Sequence, residues 1–358
     1  MTTRFHFPII AHPYLITAGQ NRPVRRLSWL VLVLLAGLLH LNPLYAKTDP
    51  LVFDDTPLSE ALALPSWFKL SFLDLKEDLA EARQENRGLI VYFGRHDCPY
   101  CKALLEKNWG REDIVTYTQR YFDVIAIDVL GHRPLTDTQG RELTEKAYAA
   151  EQKADFTPTL HFYDKQGKLA YKLTGYRQAY QFKAALEYVA DNHHHQESFA
   201  EYYARAEKAE SYGNRELNRQ PDIRYGEKLI DLSNNKKPVL VLFEQPRCHA
   251  CDVMHGGPLQ DERIARRLKK FKAVQLDSTS DQPIITPGGQ HTTSRAWAKE
   301  LYLDYTPTLM FFDEQGNEVV RIDSVVWFYR LRNVLDYVLG KGYLHYPTFQ
   351  QWRNRKKP

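Results

Sequence analysis

Outside two Cys-x-x-Cys pairs the chain has no cysteine: Cys98 and Cys101 make one pair, Cys248 and Cys251 the other. This excludes a disulfide framework that stabilises a fold by closing long loops, because a ring across either pair constrains almost nothing in the unfolded chain. A four-cysteine zinc site is disfavoured as well, since 146 residues separate Cys101 from Cys248, against about 15–20 in the usual signature. Charge of one sign is also missing. A net charge of +4 on 358 residues leaves no electrostatic footprint for nucleic acid or an acidic substrate. The apolar run at 27–41, LSWLVLVLLAGLLHL, includes His40 and falls short of the about 20 residues of a spanning helix. No cysteine closely follows it, so lipoprotein attachment is excluded.

What is present is a repeat. GLIVYFGRHDCPYCK, from Gly88, answers to PVLVLFEQPRCHACD, from Pro238, and the two first cysteines stand 150 residues apart. Downstream, ADFTPTLHFYDKQGK answers to LDYTPTLMFFDEQGN. From first cysteine to the proline of Thr-Pro-Thr there are 60 residues in one copy (Cys98 to Pro158) and 59 in the other (Cys248 to Pro307). A period of this length means two copies of a domain rather than a solenoid. A 358-residue chain, 43% hydrophobic with 22 Tyr and 17 Phe, has room for two such cores.

Arg22, Arg25 and Arg26 precede the apolar run, and Ala46 follows it. A positive flank, a short apolar stretch and a small residue read as a secretory signal or an uncleaved anchor over 1–46, with the body on the far side of the membrane. The twin arginine lacks its surrounding pattern. The body is thus expected in an oxidising compartment, where structural disulfides close long loops; four-residue rings point instead to reactive pairs.

After a loose lead-in at 50–65, helical spacing runs over 72–83. Then comes GLIVYF, a continuous apolar run that reads as a buried central strand with the CxxC at its end. A helix begins at or just after Cys98, with Pro99 suited to its first turn. A strand at 121–128, a loop at 130–139 and a helix at 142–153 lead to Thr-Pro-Thr. A hairpin over 160–163 and 169–173 and a helix at 179–190 close the copy. The second copy repeats this with strands at 239–243, 271–277, 309–312 and 319–322 and a helix near 328–339. Between them, 191–221 reads as a polar helical connector rather than a Gly/Ser tether. His193, His194 and His195 do not share one helix face and read as solvated linker, so no metal site is expected. Residues 346–358 form a basic tail, read as solvated.

This order of elements, with CxxC after a buried strand and Thr-Pro about 60 residues on, resembles the thioredoxin fold, twice. The tandem arrangement, the exported leader, the FFDxxG hairpin and the closing YLHYPTFQQW resemble thioredoxin-related proteins of the SoxW-like kind. The resemblance covers 52–190 and 222–345 and implies an α/β fold of two tandem domains, each a central mixed sheet flanked by helices. It also implies that Pro158 and Pro307 are cis, and that Thr157 and Thr306 offer backbone groups to an extended substrate strand.

Thiol–disulfide exchange needs a thiolate in accessible geometry and a second thiol to resolve the mixed disulfide. A helix N-terminus stabilises the first sulfur's anion, and three-residue spacing sets the second on the same face. Cys98 and Cys248 are thus the expected nucleophiles, at the open end of a helix, with Cys101 and Cys251 resolving. Arg247 and protonated His249 favour the Cys248 thiolate, whereas Asp97 opposes that of Cys98. The second site is therefore expected to have the higher reduction potential. The buried aspartate typical of thioredoxins, six residues before the first cysteine, is replaced by Tyr92 and Leu242. Glu244 either takes its acid/base role or is an exposed turn residue, the latter favoured. His132, His161 and His255 read as packing or surface groups. The expected activity is dithiol exchange on protein thiols and disulfides without a bound cofactor. In an oxidising compartment a reductase further implies an electron donor at the membrane. An oxidase or isomerase, or a client-binding module without turnover, are the competing functions.

Overall fold

A computed structural model describes residues 53–206 and 216–355. The presumed leader at 1–46, part of the connector and the last three residues lie outside the described residues. Among those described, no helix is long and apolar enough to cross a membrane.

The first copy opens with α1 (Leu75–Gln84), whose N-cap Asp74 accepts the N–H groups of Lys76 and Glu77, each at 3.0 Å. Then come β1 (Gly88–Gly94), α2 (Pro99–Ala103), a π-helical turn at Leu104–Asn108, α3 (Glu112–Tyr121) and β2 (Phe122–Asp128). A small hairpin, β3 (Pro134–Thr136) with β4 (Glu142–Thr144), precedes α4 (Glu145–Glu151). β5 (Thr159–Tyr163), β6 (Leu169–Thr174) and α5 (Ala179–Ala190) follow. The sheet order is β2-β1-β5-β6, with β1 parallel to β2 and antiparallel to β5. All seven residues of β1 are buried, as expected of a strand covered on both faces. Period-two alternation sends Ile90 and Tyr92 toward α2 and α5, and Leu89, Val91 and Phe93 toward α1 and α4.

A 3-10 turn at His193–His195 and α6 (Phe199–Ala206) lead out of this copy. Phe199 and Tyr202 return their rings to its core. The second copy contains β7 (Ile230–Asp231), β8 (Val239–Glu244), α7 (His249–Gly256), α8 (Glu262–Leu268) and β9 (Lys272–Asp277). It continues with β10 (Pro283–Ile285), β11 (His291–Thr293), α9 (Ser294–Glu300), β12 (Thr308–Phe312), β13 (Glu318–Ile322) and α10 (Phe328–Leu339). Its sheet order, β13-β12-β8-β9, reproduces the first. On the face that α1 covers in the first copy, Ile230 and Leu232 pack in the second.

The copies are fused into one body. Phe156, just ahead of the first Thr-Pro, belongs to the second core, where its ring centroid lies 5.3 Å from that of Phe349. Phe349 lies on a final helix, α11 (Phe349–Asn354). The tail expected to be solvated is therefore packed: Phe349 and Trp352 share one face at i,i+3 spacing and are buried, as is Arg353. Two further expectations are corrected. The helix read over 142–153 starts only at Glu145, because 142–144 pairs with 134–136 and Thr144 caps the helix by accepting the Ala147 N–H at 3.2 Å. The lead-in is not loose, since Leu58 and Leu62 donate backbone N–H groups to the carbonyls of Asp97 and His96 at 3.0 and 2.7 Å.

Candidate functional site

Each CxxC caps a helix at the end of its central strand. Cys98 is the N-cap of α2 and Cys248 that of α7, both with extended backbone. In each pair the first sulfur accepts the N–H of the second cysteine, at 3.0 Å for Cys101 and 3.1 Å for Cys251. Both pairs are disulfide-bonded, with Cα atoms 5.1 and 5.2 Å apart, within the usual range. The Thr157–Pro158 and Thr306–Pro307 peptide bonds are cis and stand against the sulfurs. Cys98 Sγ lies 3.4 Å from the Thr157 carbonyl and 3.2 Å from its hydroxyl. Cys248 Sγ is 3.5 Å from both the carbonyl and the hydroxyl of Thr306.

The two sites differ in what covers them. Cys248 keeps 8% of its surface exposed, with Arg247 and His249 exposed on either side, whereas Cys98 has none. The expectation of a first sulfur open to a visiting protein is thus not met in this arrangement for Cys98, and the reason is the second domain. Asp55 accepts the Tyr100 hydroxyl at 3.0 Å and the backbone N–H groups of Tyr329 and Arg330, both at 2.7 Å. The Tyr100 hydroxyl in turn accepts the Trp327 N–H at 2.9 Å. Arg330 lays its guanidinium 3.7 Å from the centroid of the Tyr100 ring and donates to the Thr157 carbonyl at 2.8 Å. Burial pushes that guanidinium down to about 10, the nearby Tyr100 and Asp55 opposing the shift. The Tyr100 phenol is raised well above its ordinary value, again chiefly by burial.

A second set of contacts comes from α11. The Phe349 N–H donates to Asp155 Oδ1 at 3.0 Å, the Gln350 amide donates to the Asp155 carbonyl at 2.9 Å, and Arg95 donates to Gln350 Oε1 at 3.1 Å. Asp155 is raised to about 6 by burial, with the Phe349 N–H and Lys153 acting against it. Arg95 also forms a buried ion pair with Asp97, Nη2 to Oδ2 at 2.9 Å. Asp97 therefore does not present an uncompensated negative charge to Cys98, which removes much of the electrostatic contrast expected between the two sites. Asp55 and Arg330 carried no motif in the sequence, whereas Phe349 and Gln350 lie in the closing YLHYPTFQQW segment, to which no contact role was assigned. The repeat is the signal for α11: it answers to α6 of the first copy, with Phe349 and Trp352 standing 150 residues after Phe199 and Tyr202.

Beneath α7, Glu244 is fully buried as the last residue of β8, which overturns its reading as an exposed turn residue. It lies on the same strand face as Leu240 and Leu242, and its two carboxylate oxygens are 3.0 and 3.1 Å from His255 Nε2. Gln275, the β9 partner of Leu242, also donates to it. In the first copy Gly94 stands at the corresponding place. A Cβ there would fall 2.3–2.5 Å from the Tyr92 ring and hydroxyl, so the Tyr92 side chain fills the space the acid occupies in the second copy. His132 is exposed, and His161 is a core residue against Phe93, its basicity lowered to about 3 by burial. The histidines of the 3-10 turn are not simply solvated, because the His194 side chain is only 6% exposed and lies against Asp164.

A family model of the thioredoxin-like domain matches the chain twice, over 75–190 and 225–339. No curated protein matches it. Among solved structures, a thioredoxin-fold protein from Helicobacter pylori is 24% identical, covering 35% of this chain and 82% of that one with a TM-score of 0.30. A thioredoxin from Thermus thermophilus is 24% identical over 32% of this chain and 83% of its own, at 0.26. The C-terminal domain of DsbD from Neisseria meningitidis, in its oxidised form, is 17% identical over 32% and 89%, at 0.24.

Proposed function

The chain belongs to the thioredoxin-like domain family, and from that premise we propose that it is an exported thiol–disulfide reductase that meets its protein clients at Cys248. At the general level it is a thiol–disulfide oxidoreductase, with two CxxC pairs in disulfide geometry inside two such domains. The observation that carries the finer reading is that Cys248 keeps 8% of its surface exposed between exposed Arg247 and His249, whereas Cys98 keeps none.

In the proposed cycle the Cys248 thiolate attacks one sulfur of a client disulfide, forming a mixed disulfide and releasing the other client sulfur as a thiolate. Cys251, buried beside it, then attacks Cys248 Sγ, which frees the second client thiol and closes the Cys248–Cys251 bond. Two electrons have passed to the client, and a dithiol donor at the membrane returns them. Thr306 and Pro307 form the rim on which an extended client strand lies, and the helix N-terminus with exposed Arg247 and His249 favours the attacking thiolate. Glu244 accepts the proton of the Cys251 thiol as it becomes the second nucleophile. Export rests on the segment at 1–46, and contact with the membrane is through that segment if it stays uncleaved. Cys98/Cys101, Thr157 and Pro158 form a second pair and groove, closed by the second domain.

Insulin reduction by the full chain with a dithiol as electron source tests this. Turnover falls to background in Cys248→Ser and stays within about twofold of wild type in Cys98→Ser. Loss in Cys98→Ser alone would overturn the assignment. The potential of the Cys248 pair decides direction: a value of about −270 mV supports a reductase, and one of about −120 mV an oxidase.

A further inference from the structure

We propose that Asp164, His194 and His195 form a binding site for a divalent transition-metal ion, at the end of the first domain's sheet away from Cys98 and Cys101.

The placement follows from strand register. β1 runs toward the CxxC and β5 is antiparallel to it, with Phe93 opposite Thr159 and Leu89 opposite Tyr163. Asp164, directly after β5, therefore lies at the far end of the sheet from Cys98. There it opens the turn to β6, with Gly167 at φ 78° supplying the left-handed residue. Asp164 Oδ1 accepts the N–H groups of Gln166 and Lys168, both at 2.9 Å. These bonds fix the carboxylate and turn Oδ2 toward His194, whose Nε2 stands 3.3 Å away. His195 follows on the same 3-10 turn, its ring centroid 4.0 Å from that of His194.

One donor atom from each of the three residues lies within 4.8 Å of the other two. Donors on a common zinc ion, at bonds of 2.0–2.1 Å and tetrahedral angles, stand about 3.4 Å apart. His195 is exposed, so a rotation of its side chain closes the set without disturbing the core. Two imidazoles and a carboxylate select a borderline cation such as Zn2+, Co2+, Ni2+ or Cu2+ over Mg2+ or Ca2+, and three protein ligands leave positions for water. Among the described residues, His194 Nδ1 is buried without a hydrogen-bond partner. No outer acceptor reinforces that ligand, so the expected affinity is micromolar rather than that of a structural zinc site.

The second copy provides an internal control. Asp313 opens the equivalent turn, accepting the N–H groups of Gln315 and Asn317 at 3.0 and 2.8 Å, with Gly316 at φ 88°. There the second carboxylate oxygen is taken by the Asn317 side chain at 3.0 Å. The matching 3-10 turn is Gly342–Leu344, with no histidine, and it follows Lys341 at φ 51° as His193–His195 follows Asn192 at φ 63°. The fold thus builds this corner without histidines. Their presence in the first copy, beside a carboxylate held open toward them, points to a ligand.

The test uses the tag-free full chain with both pairs oxidised, so that no thiolate competes. Calorimetric titration with Zn2+ and absorption titration with Co2+ give one equivalent bound, weakening at least tenfold in Asp164→Asn and in His195→Ala. His195 is exposed, so that variant folds, and Asn317→Ala in the second copy changes nothing. Wild-type protein that binds no Zn2+ below millimolar concentration would overturn the site, as would a His195→Ala variant that binds it undiminished.

Discussion

Three side chains show how single residues decide what each copy does. Asp155 is held in the interface between the domains by the Phe349 N–H and is raised to about 6 by burial. A carboxyl raised in the fold holds its proton more tightly there than in the unfolded chain. Its contribution is fully present below about pH 4 and is lost as pH rises through about 6. The loss amounts to up to about 3 kcal/mol. Urea unfolding of wild type and Asp155→Asn at pH 5 and pH 7 reads this directly: the wild type loses stability relative to the variant as pH rises, and a pH-independent difference would refute it. Glu244 bears on chemistry. Glu244→Gln keeps the packing but removes the proton acceptor proposed for Cys251, so a mixed disulfide with the client accumulates and turnover falls at least about tenfold. Unchanged resolution in that variant would leave Glu244 a purely structural group. Tyr92 fills the same space in the first copy, so that copy has no acid there to test.

At the scale of elements, legibility followed periodicity. The continuous apolar runs announced β1 and β8, and the closing helices α5 and α10 span the residues read from sequence. The Asp-x-x-Gly turns set both hairpins through their need for a left-handed residue. What stayed hidden is short or held by distant partners. β3, β4, β10 and β11 have three residues each, too few to show an alternation. α11 was masked by its basic letters, although Phe349 and Trp352 already stood on one face. The paired cysteines were legible because thiol–disulfide exchange demands their spacing. Asp55 and Arg330 were not, because their partners lie 45 to 275 residues away in sequence. Deleting 346–358 tests the weight of α11: Phe156 and Tyr337 lose the rings of Phe349 and Trp352. Burying side chains of this size is worth about 3–5 kcal/mol each when truncated, so the deletion lowers the melting temperature by several degrees or more. A melting temperature equal to wild type would mean that α11 does not pack in solution.

For the whole molecule, duplication has produced two sites of unequal exposure, 8% at Cys248 against none at Cys98, and the contacts that seal the first are few enough to be removed singly. Asp55 sits at their centre, accepting one hydroxyl and two backbone N–H groups that belong to both domains. Hydrogen bonds to a charged group contribute about 1.5–3 kcal/mol each, and donors left buried without a partner cost about 1–3 kcal/mol. Asp55→Ala therefore favours the open arrangement by roughly 3 kcal/mol, and each 1.4 kcal/mol is a factor of ten in population. After mild reduction, alkylation of Cys98 in native protein accelerates about 100-fold in Asp55→Ala and by at least tenfold in Arg330→Ala, which frees the Thr157 carbonyl. Alkylation of Cys248 keeps its wild-type rate in both and serves as the internal clock. Mass spectrometry of the labelled peptides separates the two rates. Equal labelling of Cys98 and Cys248 in the wild type would show that the domains part freely in solution, and the first pair would then stand available to clients alongside the second.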